Sequence, residues 1–435
     1  MAEYDIIIVG AGAAGLYAAR ELQKTGKKIL VLEAQNRIGG RIHSVHSPFV
    51  GEPLEAGAEF IHGNLPITLE LLKQYSIPYQ EVDGTMWTVK DSELHKEDDF
   101  IESDRQLRQA LKELKEDVSV EDFLNTYMQG EEHKEVRDSV KQFVEGYGAA
   151  NADKASTIAF RKDWTNINET QYRILTGYGS LIQAIAMDLY QYKTEIKLNE
   201  KVKEVIWEES KVTLVSDKEK YVSKMAIITI PLSLLQLSGI APTAINFKPQ
   251  LTEHVDAAKQ IGYGSVVKVL IAFKTPFWQN KELIPAVEEN LEKLSFIFAD
   301  TPIPTWWTQY PAESGLLTGW IGGPKADAFR EMADNMIYEM GIRCLGIIFK
   351  IQDQQLKELV KDWRVFNWGN SSYTKGAYSY ATVNTHNQRA LLATPVANTL
   401  FFAGEACYDG ENIGTVEAAF DSAQKAVKLI TTVLK

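Results

Sequence analysis

A chain of 435 residues, 45% hydrophobic and 24% charged, is long enough for two or more domains that enclose a sizeable ligand. Its formal net charge of −12 argues against nucleic acid, whose phosphates call for clustered Lys and Arg, and favours cations instead. Two cysteines, Cys344 and Cys407, make no disulfide framework and have no neighbours at metal-ligand spacing, so no structural metal is expected. A first strand starting at about Asp5 leaves no room for a secretory leader, and no run of ~18 apolar residues occurs. The expectation is a cytoplasmic protein without a membrane anchor.

Asp5 to Val9 (DIIIV) is short, apolar and β-branched, as a parallel strand buried on both faces requires. Gly10 to Gly15 follows, then a helical stretch Leu16 to Gln23 and a second apolar run Lys28 to Leu32, giving β-α-β. Residues 81 to 174 are charged and helix-favouring, notably Asp104 to Glu116 and Glu131 to Glu145, and predict a helical insertion. Strand character returns over Glu195 to Ser216 and Tyr221 to Ile230, where Pro231 ends it. Gly264 to Phe273 and Leu316 to Ile321 suggest a second, mixed sheet. The last block is a strand, Thr399 to Ala403, then Gly404 and a helix from about Thr415.

The expected fold class is therefore α/β: a Rossmann-like cofactor domain from residues 1–80, 175–235 and 362–435, interleaved with a mixed-sheet and helical substrate domain from 81–174 and 236–361.

GAGAAG at Gly10 to Gly15 fits the dinucleotide turn, with Glu33 at the end of the next strand. Gly10 permits the tight turn, Gly12 lets backbone approach a pyrophosphate, Ala14 lies in the same turn, and Gly15 allows close helix–strand packing. The helix N-terminus faces the phosphates, while Glu33, followed by Ala34, accepts from the ribose hydroxyls. This pattern alone does not separate FAD from NAD. Arg37-Ile38-Gly39-Gly40-Arg41 does, because two guanidinium groups and bare glycine backbone beyond the ribose suit a pyrophosphate.

RIGGR followed by LEAGA at Leu54 to Ala58 resembles the FAD signature of the glutathione-reductase-like superfamily that includes amine oxidases and protoporphyrinogen oxidases. FAGE at Phe402 to Glu405 and GTVE at Gly414 to Glu417 resemble that group's second flavin segment. The resemblance implies that Gly404 and Glu405 bind the ribityl or pyrophosphate portion, that Thr415 and the Val416 N–H meet the flavin's carbonyl edge, and that the Val202 backbone meets adenine. GSVVK at Gly264 to Lys268, continuing to Pro276-Phe277-Trp278, resembles the flavin amine oxidase segment with a flavin-facing lysine. Lys268 then holds a water near flavin N5 and assists reoxidation by O2; the alternative is a solvent-facing strand residue.

NWGNSSYTKGAYSY resembles the family's W-x4-Y-x2-G-x-Y stretch, which gives Trp368 and Tyr373 contacts to the flavin and makes Tyr378 an aromatic wall, if Tyr378 is not simply core. GAEFIHG, Gly57-Ala58-Glu59-Phe60-Ile61-His62-Gly63, resembles the polyamine oxidase segment in which Gly57 to Phe60 adjoin the cofactor and His62 lies at the substrate mouth. His62 either bonds a distal amine or is a satisfied loop histidine. Ala377 stands where animal monoamine oxidases carry the flavin-linked cysteine, so FAD is expected to be non-covalent. Thr415 and the YSY run favour the polyamine oxidase branch, although Ser371-Ser372 replace its usual Asp-Pro.

The resemblance spans nearly the whole chain and implies oxidation of an amine to an imine and aldehyde, with O2 reduced to hydrogen peroxide. Its rivals are an L-amino acid oxidase, for which Arg161, Arg173 and Arg364 are available to fix a carboxylate, and a flavin-binding scaffold without turnover.

Overall fold

In a computed structural model, which describes residues 4–97, 105–166, 170–238, 241, 243–285 and 287–434, the apolar runs gather into two large sheets. Tyr4–Val9 is the centre of the first. It pairs in parallel with Ile29–Leu32 on one side and Lys220–Ile228 on the other. Glu195–Lys197 extends the parallel set beyond Ile29–Leu32, and Leu400–Phe402 pairs with the end of Lys220–Ile228. An antiparallel meander, Val202–Glu208 and Lys211–Ser216, continues the sheet outward to Asn246–Lys248.

Alternation along Tyr4–Val9 explains why the run is wholly apolar. Ile6 and Ile8 enter the core beneath the helices Ala13–Gln23, Gly179–Gln191 and Val416–Val433, while Ile7 and Val9 enter the core on the opposite face. Residues from three distant parts of the sequence thus build the parallel part of one sheet, and the loops at its C-terminal edge share one crevice.

The second sheet has seven strands in the order Val360–Asn367, Val266–Phe273, Leu316–Gly322, Thr305–Trp307, Leu294–Ala299, Thr85–Lys90 and Glu93–Glu97. Its neighbours are antiparallel except for Leu294–Ala299 against Thr85–Lys90, so it is the mixed sheet expected. Helix Asp334–Phe349 covers one face through Ile337, Ile342 and Leu345.

Residues 81 to 174 are not purely helical. Thr85–Lys90 and Glu93–Glu97 form a hairpin whose two turn residues, Asp91 and Ser92, have φ of 50° and 64°, and Gln171–Ile174 joins a small third sheet. Charge hid these strands from the sequence reading: Glu93–Glu97 is an edge strand, where charged side chains belong. The remainder holds helices Arg105–Glu113, Val120–Tyr127, Lys134–Lys141 and Thr157–Asn166. The expected start at Asp104 lies outside the described residues. Lys134–Lys141 widens into a π-helical turn, Gln142–Tyr147, an irregularity that occurs most often at functional sites. Among the described residues no helix is long and apolar enough to cross a membrane.

Candidate active site

A cavity of about 1270 Å³ runs from the C-terminal edge of the parallel sheet to the face of the second sheet. That exceeds the ~300–1,000 Å³ typical of small-ligand pockets and suits a dinucleotide plus a small substrate. At one end the Ala13–Gln23 helix begins at Gly12 without a side-chain cap, so the first-turn N–H groups of Gly12, Ala13 and Ala14 border the cavity. Gly10, with φ of +111°, makes the turn into it.

Gly15 does not line the cavity, unlike Gly10, Gly12 and Ala14. A Cβ on it would fall 2.0 Å from the Gly10 carbonyl oxygen, so its role is close helix–strand packing.

Glu33 Oε2 accepts from Ala11 N–H at 2.8 Å and Oε1 from Gln35 N–H at 2.9 Å, which ties the carboxylate to the glycine turn. Burial raises its pKa against these two donors. Ala34, Gly40 and Val202 line the same end.

The two arginines of RIGGR separate in role. Arg37 donates to the carbonyls of Gly40 (2.8 Å) and Ile38 (3.3 Å), braces its own loop and does not border the cavity. Arg41 borders it and pairs with Glu405 at 2.7 Å while donating to the Ala377 carbonyl. Burial works to raise the Glu405 carboxyl, yet Arg41, Ser379 and Arg389 together hold it below its ordinary value. Gly404, Glu405, Thr415 and Val416 line the middle of the cavity; Thr415 caps the last helix by accepting from Ala418 N–H. Glu417 points elsewhere, accepting from Ile67 and Thr68 N–H at the start of helix Pro66–Gln74.

At the far end Lys268, Trp368, Tyr373, Tyr378, His62 and the Gly57–Phe60 segment converge on one chamber. Lys268 is 1% exposed, which excludes the solvent-facing alternative. Its ammonium donates to Glu59 Oε2 (2.8 Å) and the Gly57 carbonyl (3.2 Å) and lies 5.2 Å from the Trp307 ring centre. A Cβ on Gly57 would fall 1.9 Å from the Arg41 carbonyl oxygen, so glycine there lets this segment pack against the Arg41 loop. Trp368 Nε1–H donates to the Ala56 carbonyl, and Tyr378 O–H donates to the Tyr147 carbonyl at 2.7 Å. His62 packs edge-on to Tyr147 with ring centres 5.5 Å apart, and burial pushes its pKa down to about 4, so the imidazole is neutral at working pH.

Several lining residues carried no sequence signal. Phe143 and Tyr147 come from the π-helical turn, Phe160 and Asp163 from helix Thr157–Asn166, and Trp307 and Trp320 from the second sheet. Trp320 Nε1–H donates to the Gly146 carbonyl, which fixes that turn over the chamber. Desolvation pushes Asp163 up to about 7.

None of Arg161, Arg173 and Arg364 lines the cavity. Arg161 donates to the Leu111 carbonyl, Arg364 pairs with Asp362, and Arg173 lies behind the wall against Glu59.

The family model described as flavin containing amine oxidoreductase matches residues 13–431. The chain is similar to polyamine oxidase 3 of Oryza sativa subsp. japonica, 25% identical over 97% of this chain and 88% of the relative. It is also similar to lysine-specific histone demethylase 1B of Mus musculus, 25% identical over 92% of this chain but 50% of that longer protein. Two solved structures share the fold across 99% of both chains: putrescine oxidase bound to putrescine, with a TM-score of 0.78 at 19% identity, and cyclohexylamine oxidase from Brevibacterium oxydans IH-35A, with 0.80 at 19%.

Proposed function

From the premise that this chain belongs to the flavin-containing amine oxidoreductases, an FAD-dependent family of enzymes acting on amines, we propose that it oxidises a diamine or polyamine. The observation that carries this reading is one continuous cavity with a dinucleotide cradle at one end, a buried lysine in an aromatic chamber at the other, and an acidic residue at its substrate side.

The residues present fit FAD. We assign the ribose to Glu33 and Ala34, the pyrophosphate to the turn at Gly10, Gly12 and Ala14 with Gly40 and Arg41, the ribityl or pyrophosphate portion to Gly404 and Glu405, and adenine to the Val202 backbone. The ring belongs beside Gly57, Ala58, Trp368, Tyr373, Thr415 and Val416, whose helix N-terminus favours negative charge. When bound, FAD accepts hydride from the carbon next to the amine nitrogen and passes the electrons to O2.

The protein's part is selection and orientation. A chamber of Tyr378, Tyr147, Phe143 and Trp320 excludes water and favours the neutral form of the reacting amine. His62, neutral there, accepts a hydrogen bond from an N–H of the substrate. The released iminium takes up water and divides into an aldehyde and an amine or ammonia, while O2 leaves as hydrogen peroxide.

The two sheets support the division into cofactor segments 1–80, 175–235 and 362–435 and substrate segments 81–174 and 236–361. Two strands cross that border: Val360–Asn367 joins the second sheet and Asn246–Lys248 joins the first.

Asp163 borders the cavity and supplies a carboxylate that suits a second, charged amine. Because its carboxyl titrates near 7, diamine affinity should rise relative to a monoamine of matched length as pH increases through that value. Anaerobic flavin bleaching and peroxide release over a panel of diamines, polyamines, monoamines and amino acids test this. Asp163→Asn is expected to weaken diamine binding by roughly tenfold, about one charged hydrogen bond, and to remove that pH dependence while sparing monoamines. A flavin that no amine bleaches would leave the scaffold reading standing.

Ala377 borders the cavity and offers no thiol for attachment to the ring. Acid precipitation of the yellow protein should therefore release all of its FAD. Flavin retained in the pellet would show another point of attachment.

A further inference from the structure

The segment GAEFIHG places a carboxylate, Glu59, where it does something other than line a cofactor. Its side chain is 3% exposed and surrounded by donors from three distant parts of the chain. Oε2 accepts from Lys268 at 2.8 Å; Oε1 accepts from Trp307 Nε1–H at 2.9 Å and Gln309 Nε2–H at 3.3 Å, with Arg173 Nη2 at 3.2 Å.

Arg173 is itself held by the carbonyls of Thr308 and Tyr310, which keeps it beside Glu59. Burial works to raise the Glu59 carboxyl, but Lys268 and Arg173 outweigh it and keep the group ionised.

An ammonium has three N–H groups. Glu59 and the Gly57 carbonyl take two of those on Lys268, which leaves one for the chamber. We propose that Glu59 is a positioning residue for this reaction: it fixes Lys268 as an ammonium in one orientation, so that a single N–H and a full positive charge face the reacting end of the flavin. The proposal rests on the flavin-facing place assigned to Lys268 above.

Its functional consequence concerns the oxidative half-reaction. A preorganised cation favours the transfer of charge to O2 only while it remains charged. Glu59, with Arg173 fixed beyond it, supplies the counter-charge that a buried ammonium needs. A further titratable group near the pair is Glu55, hydrogen-bonded by Ser44 Oγ–H and Tyr178 N–H, with a pKa raised by burial to about 7.

The test uses the purified holoenzyme reduced with dithionite, so that no amine substrate is needed and failure of the amine panel cannot be mistaken for failure here. Reoxidation by O2 and the flavin reduction potential, followed by absorbance, are measured against pH in wild type, Glu59→Gln, Lys268→Met and the double variant. In Glu59→Gln the ammonium loses its counter-charge and sheds its proton at lower pH. Both readouts should then acquire an alkaline break, and reoxidation above it should fall toward the Lys268→Met level, roughly 10²-fold below wild type.

Lys268→Met and the double variant should show no such break and reoxidise alike, because Glu59 acts only through Lys268. A Glu55 titration, displaced but not removed by the charges of Glu59 and Lys268, would occur in all four proteins and is separable from an alkaline break for that reason. Lines for wild type and Glu59→Gln that run parallel overturn the proposal; so does an alkaline break that persists in the double variant, which would mean that Glu59 acts without Lys268. If Glu59→Gln does not retain flavin, Glu59→Asp replaces it, its shorter arm loosening the pair. The proposal then requires a break displaced from wild type in Glu59→Asp and matching reoxidation in Lys268→Met and the double variant, and it falls if either is missing.

Discussion

Replacing Lys268 by methionine should leave FAD bound and slow reoxidation of the reduced flavin by roughly 10²-fold, the usual scale for one preorganised charged donor. The variant should fold, because its carboxylate partner is not abandoned: Glu59 keeps Trp307, Gln309 and Arg173 when Lys268 is gone. Methionine also fills much of the lysine stem's volume within the strand Val266–Phe273, every residue of which is buried. Reduction by amine should change less, since orientation of the substrate depends on Tyr378, Tyr147 and Trp320 rather than on the ammonium. Stopped-flow measurement of each half-reaction separates the two effects. If reduction and reoxidation both proceed at wild-type rates with several amines, the reacting end of the cavity has been placed wrongly.

The buried lysine also shows how far the sequence could carry the argument. GAGAAG and Glu33 were legible because the work is done by backbone and by a neighbour in the next strand, so spacing alone encodes it. RIGGR was half legible. Its two arginines look equivalent in the sequence, yet Arg41 reaches Glu405, 364 positions away, whereas Arg37 folds back on its own loop carbonyls.

Glu59, Arg173, Lys268, Trp307 and Gln309 have no spacing in common; only the docking of the strands Phe60–His62 and Gln171–Ile174 against the second sheet brings them together. The aromatic lining from Phe143 and Tyr147 was hidden for a different reason. A regular helix predicted from Glu131–Glu145 does not reveal the π-helical turn that ends it, where Gly322 and Gly264 let the backbone of Glu145–Ala149 pack directly on two strand ends. Local backbone chemistry was readable, and side-chain chemistry assembled by tertiary packing was not.

At the opposite end of the cavity, Glu33→Ala should weaken FAD retention by roughly 10²-fold while leaving turnover at saturating FAD nearly unchanged. Hydrogen bonds from a hydroxyl to an ionised acceptor contribute about 1.5–3 kcal/mol each, and ~1.4 kcal/mol is a tenfold change in affinity. The carboxylate has a second task, since it accepts from Ala11 N–H inside the glycine turn and from Gln35 N–H beyond the strand. Its removal orphans the Ala11 donor beside the pyrophosphate site, so the turn that cradles the phosphates loosens together with the ribose contact. Nothing in that loss reaches the chamber of Lys268, Trp368 and Tyr378, which a dinucleotide's length separates from the ribose. Glu33→Gln is the informative companion: its amide oxygen can still accept from Ala11, so its deficit isolates the charge. Fluorimetric titration of flavin-depleted protein with FAD, followed by turnover at saturation, reads both quantities. Equal FAD affinity in Glu33→Ala and wild type would mean that the carboxylate serves the glycine turn alone, and that the ribose is held elsewhere.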